Sequence, residues 1–143
     1  MLRYPHDVEM IDCAWLACGT LGRLAVLITA GRGPVPAAVF EGQIDIFDIE
    51  EQLGALPYNG AVRLRLSAKD VPSFTALAER GLFAFDWSDI HKVGANQTNA
   101  YELMAVPSAS RHLLDLPDDL HRTAEWVRLD VDLARTAWLT IET

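Results

Sequence analysis

The stretch Glu79-Arg-Gly-Leu-Phe-Ala-Phe-Asp-Trp-Ser-Asp-Ile-His91 constrains the fold more than any other part of the chain. Just upstream, Val71, Phe74, Leu77 and Ala78 recur at helical spacing. They follow Asp70, a residue type that caps helix N-termini, and Pro72, which suits a first turn. Gly81 then supplies the left-handed residue that stops a helix. Phe83, Phe85 and Trp87 alternate with Leu82, Ala84 and Asp86, which is the period of a strand. A helix that reverses at once into an aromatic strand requires helix-on-sheet packing, and the acidic exit Asp89 to His91 is left for a surface.

The remaining elements extend this picture. Ala14–Cys18 and Leu24–Thr29 are apolar, with Gly19 and Gly22 between them, and predict a hairpin. Gly31-Arg-Gly-Pro-Val-Pro36 reads as a turn, since neither P-loop nor GxGxxG spacing accompanies its glycines. Ile46, Ile49 and Leu53 carry helical spacing over Asp45–Leu56, with acids early, where they suit the helix dipole. Val62, Leu64 and Leu66 alternate with Arg63 and Arg65, as on a strand with an outward basic face. Val93–Ala100 reads as a loop, and Tyr101–Val106 as a strand paired with the aromatic one. Leu116–His121 suggests a short helical turn, Trp126–Leu133 alternates like a strand, and Trp138–Ile141 fits an edge strand. The expectation is one α+β domain over residues 1–143, an antiparallel sheet with two or three helices packed on it.

At 143 residues and 50% hydrophobic, the chain is long enough to bury a core. Its net charge of −8 argues against a nucleic-acid phosphate binder, and Arg63, Arg65, Arg111 and Arg122 are scattered. Acidity suits a basic partner, although it also serves plain solubility. Cys13 and Cys18 lie an odd number of positions apart and lack zinc-site spacing, so buried reduced thiols are expected. No apolar run at the N-terminus reads as a signal peptide, and Leu24–Ala30 is far short of the ~20 residues that span a bilayer. A soluble cytoplasmic protein with no membrane contact and no cofactor is the expectation.

Two constellations carry possible chemistry. Asp86, Asp89 and His91 offer a carboxylate–imidazole arrangement for general base work, or three ligands for a divalent ion. Their spacing matches no strong metal signature, and His6, His112 and His121 stand in unrelated contexts. No serine sits in a G-x-S-x-G elbow, and both cysteines lie among apolar residues. The second constellation is aromatic: of four tryptophans, Trp15 and Trp87 read as core, whereas Trp126 and Trp138 lie on polar-alternating segments where at least one is expected at the surface. An exposed aromatic among carboxylates has the composition of a protein-recognition hot spot.

Trp15–Ala30 leading into Gly31–Pro36, and Arg80–Trp87 leading into Tyr101-Glu-Leu, resemble segments of small acidic bacterial immunity-type proteins associated with secreted interbacterial toxins. That resemblance implies a non-enzymatic protein that binds and neutralises a cognate toxin, and it carries no set of binding residues to these positions. Asp86, Asp89, His91, Trp126, Asp130 and Asp132 are the candidate contacts for a basic partner. The competing expectation is a small metal-dependent enzyme built on Asp86, Asp89 and His91, or a structural or regulatory protein with no catalytic role.

Overall fold

The computed structural model describes residues 5–65, 72–89 and 99–142. Strands β1 (Ala14–Cys18) and β2 (Leu24–Ile28) form the expected antiparallel hairpin, with Ala14 opposite Ile28 and Cys18 opposite Leu24. Helix α1 (Ile46–Gly54) begins where the Asp45 carboxylate accepts from the Phe47 amide at 3.0 Å, and it buries Ile46, Ile49 and Leu53. A three-residue strand β3 (Val62–Leu64) precedes helix α2 (Pro72–Ala78), which buries Phe74, Leu77 and Ala78. The expected cap Asp70, the stripe residue Val71 and the strand residue Leu66 lie outside the described residues.

Gly81 takes φ +94°, and a Cβ there would meet the Arg111 backbone nitrogen at 2.6 Å, so both conformation and space select glycine. The chain then enters strand β4 (Phe83–Ser88), which pairs antiparallel with strand β5 (Ala100–Pro107). The register passes from Phe85 opposite Leu103 to Ala84 opposite Ala105, so Met104 is an extra residue in β5. This bulge turns Leu103 and Val106 to the same face of the sheet.

The fold is α+β, and its six-stranded sheet runs β1-β2-β4-β5-β3 with strand β6 (Trp138–Leu139) also on β5. One expectation is corrected: the sheet is mixed, because β2 and β4 are parallel, with Ala25 beside Phe83 and Leu27 beside Phe85. The chain between them carries α1 and α2 and returns in the same direction, the long crossover that parallel neighbours require. On the outer side of β5, β6 pairs at Tyr101 and Glu102 while β3 pairs at Ala105 to Pro107, so two short strands share one edge.

The C-terminal third departs most from expectation. Helix α3 (Asp118–Trp126) is longer than the turn read from Leu116–His121. Asp118 and Asp119 sit in its first turn, and Leu120, Thr123 and Ala124 are buried at helical spacing. Trp126 is therefore the last helical residue and not the start of a strand. Beyond it the chain is extended and runs beside the end of β1 and the residues after it: the Cys18 amide donates to the Val127 carbonyl and the Leu129 amide to the Cys18 carbonyl, both at 2.9 Å, and the Thr20 amide donates to the Val131 carbonyl at 2.8 Å. Val127 and Leu133 are buried and Arg128 and Asp130 exposed, so the inward–outward alternation holds without a full strand.

Strands β1 and β2 are buried at every position, and α1 and α3 both pack on β1. At the centre, Tyr101 stands edge-on to Trp15 and to Trp87, with ring centroids 5.8 Å and 5.2 Å apart. Its hydroxyl accepts from Trp15 Nε1 at 3.2 Å and donates to the Pro34 carbonyl at 2.9 Å. Gly33 lies directly over that hydroxyl, where a Cβ would overlap it. The Gly31–Pro36 turn is thus a lid on the aromatic core, and the amides of Gly31, Arg32 and Gly33 are spent on Thr29.

Candidate functional site

The expected contact residues separate into distinct environments. Asp86 is half-buried on β4, between Ile28 of β2 and Glu102 of β5, and Glu102 in turn faces Trp138 of β6. Asp89 is buried, and its Oδ2 accepts from Trp87 Nε1 at 2.6 Å. That short bond directs Asp89 toward the face of Trp87, whereas strand alternation places Asp86 on the other. Asp89 therefore serves to hold the Trp87 indole rather than to stand in solvent, because a buried indole N–H needs an acceptor. His91 lies outside the described residues. Among the described residues, no group of three or more His, Cys, Asp or Glu is placed to hold a metal ion.

Asp132 is likewise occupied. It pairs with Arg23 at 2.9 Å and with Arg135 at 3.8 Å, and it caps the 3-10 turn Leu133–Arg135 by accepting from the Ala134 amide at 3.0 Å. Its carboxylate pins the C-terminal segment to the β1–β2 hairpin.

Trp126 and Asp130 do come together. They line an open groove of about 580 Å³ between the segment that leaves α3 and the segment that follows β6, with Leu129, Val131, Ile141 and Glu142 also on its walls. Trp126 is 59% exposed, unlike the other large aromatics of the helices and sheet. It is held in place by donating from Nε1 to Glu41 Oε2 at 3.1 Å, across 85 positions of sequence. Asp130 and Glu142 are exposed on the walls, and exposed Glu41 is bonded to Trp126, against Arg128 as the opposing cation. Arg128 already faces Glu125 at 3.9 Å and reaches Cys18 Sγ at 3.6 Å. The groove thus offers an anchored indole, half-buried aliphatic walls and a surplus of carboxylates.

Sequence reasoning named Trp126 and Asp130 as candidates, and it gave no sign that Glu41 and Glu142 would stand beside them. Neither stands in a motif, and only the long-range contact of Glu41 with Trp126 reveals its place. Burial pushes both cysteine thiols up and so disfavours the thiolate, although the Thr29 hydroxyl opposes this at Cys13 and the Arg128 charge at Cys18. Both are free of disulfides, as their separation predicts. Among the described residues, no helix is long and apolar enough to cross a membrane. No family model, curated protein sequence or solved structure matches this chain.

Proposed function

We propose that this chain is a non-enzymatic immunity-type protein that neutralises a cognate bacterial toxin by seating a basic segment of it in the Trp126 groove. The observation that carries the reading is the exposed indole of Trp126, fixed by Glu41 at the rim of an acidic groove with aliphatic walls. A large aromatic held in one position loses little freedom on binding, which is why such residues serve as anchors. The surrounding carboxylates favour a cationic partner and steer its approach. The net charge of −8 extends the same field over the whole molecule.

Co-purification with the product of the neighbouring gene, together with protection of cells that express it, tests this function. Failure of both sinks it. The site has its own test: Trp126→Ala weakens the complex, and an association rate indifferent to ionic strength removes the steering role of Asp130, Glu41 and Glu142.

A further inference from the structure

On the outer side of β5, where β3 gives way to the chain leading into β6, lies a cleft of about 250 Å³. Its walls carry Arg63 and Arg65 from β3 and Arg135 from the segment before β6, over Phe83, Leu103 and Val106. The arrangement follows from the topology. Strand alternation sends Arg63 and Arg65 to one side, while the extra residue Met104 brings Leu103 and Val106 to a common face beneath them. The Arg65 amide donates to the Met104 carbonyl at 3.1 Å and the Leu103 amide to the Ala137 carbonyl at 2.9 Å, so both walls are fixed to β5.

We propose that this cleft binds a dianionic phosphoryl group, carried by a small phosphate monoester or as free phosphate. Three guanidinium groups line it, and among the described residues none that lines it is a carboxylate. Arg135 has a distant partner in Asp132 at 3.8 Å, an oxygen acid already engaged by Arg23 at 2.9 Å. The Arg63 guanidinium has no hydrogen bond or ion pair among the described residues. Arg65 Nε is sealed from solvent and has no acceptor among the described residues. A buried guanidinium nitrogen without an acceptor is costly, and an oxyanion in the cleft supplies one. The lining charge of three cations, one of them partly offset, balances a dianion better than a single carboxylate. Guanidinium forks also match the geometry of phosphoryl oxygens.

Size and floor limit the ligand. The cleft is smaller than the ~300 Å³ at which pockets for drug-sized molecules begin, so the ligand is small. Phe83, Leu103 and Val106 give an apolar surface on which the carbon body of a monoester rests. Among the described residues the cleft shares no lining residue with the Trp126 groove, so the two sites stand or fall separately.

Calorimetric titration of the full chain with inorganic phosphate and with phenyl phosphate, at ionic strength held constant with sodium chloride, tests the proposal. Saturable binding of either probe is expected, weakened at least about tenfold in R63Q or R135Q. Both side chains are exposed, so their loss spares the core. Tighter binding of phenyl phosphate assigns a monoester, and equal binding assigns free phosphate. R65M is expected to abolish binding while leaving the unliganded melting temperature equal or higher, since it removes a buried unpaired donor. No saturable binding of either probe up to about 10 mM, or affinity unchanged in both R63Q and R135Q, overturns the site.

Discussion

Trp15 and Trp126 are the same side chain put to opposite uses. Trp15 is fully buried, edge-on to Tyr101, and its indole N–H is satisfied by the tyrosine hydroxyl. Trp126 ends a helix, its indole N–H is satisfied by Glu41, and its rings face solvent. In both, one hydrogen bond fixes the ring. In the first the fixed ring is used up by the fold, and in the second it is left available. The contrast separates residues that make the protein stable from those free to make it bind.

The sharpest way to break that contrast is to truncate both rings. Trp15→Ala should cost about 3–5 kcal/mol in chemical denaturation, the range for removing a large aromatic from a packed core. Trp126→Ala should stay within about 0.5 kcal/mol by the same measure. Comparable losses would mean that Trp126 is structural and the groove argument fails. On binding the order reverses: Trp126→Ala should weaken the proposed toxin complex by about 2 kcal/mol or more, roughly thirtyfold, in a titration.

The lid over the buried cluster gives a smaller effect. Gly33→Ala places a methyl against the Tyr101 hydroxyl and should cost about 1–3 kcal/mol, read from the denaturation midpoint. Adding Tyr101→Phe removes the colliding oxygen, so the double variant should lose less than the two single losses combined. Strict additivity would show that the lid yields elsewhere.

The smallest expected effect is in alkaline stability. Burial pushes the Tyr101 phenol up, the hydrogen bond from Trp15 opposing it only in part. The unfolded chain therefore gives up this proton first, from about pH 10, while the folded chain keeps it. The contribution is fully present below that pH and is lost as pH rises, because the folded state then binds more protons. Thermal melts should fall more steeply above about pH 10 in the natural sequence than in Tyr101→Phe. Equal slopes would remove Tyr101 as the cause.

Local signals made much of the scaffold legible. The helical spacing of Ile46, Ile49 and Leu53, the stripe Phe74–Leu77–Ala78 and the stop at Gly81 are each written in a few neighbouring residues. The parallel pairing of β2 with β4 was not legible, because nothing in Leu24–Ile28 or Phe83–Ser88 marks direction, and both are buried on two sides. Residues Val127–Leu133 alternate as a strand would, yet the neighbour that would complete a ladder is replaced by the last residue of β1. Of the candidate contacts, the exposure of Trp126 and Asp130 was readable from the alternation around them. The occupation of Asp89 by Trp87 and of Asp132 by Arg23 depends on tertiary approach and was not. The three-arginine cleft shows the same limit: Arg63 and Arg65 are visibly outward, but Arg135 joins them only because two strands divide one edge.

That divided edge has a consequence for how any partner can attach. An unbroken outer strand would present a row of backbone donors and acceptors on which a foreign strand could add itself. Here β3 contributes three residues and β6 two, with arginines between them, so an added strand would find only short runs of ladder. Recognition on this flank is thereby confined to side chains, and self-association by edge-to-edge stacking is discouraged there.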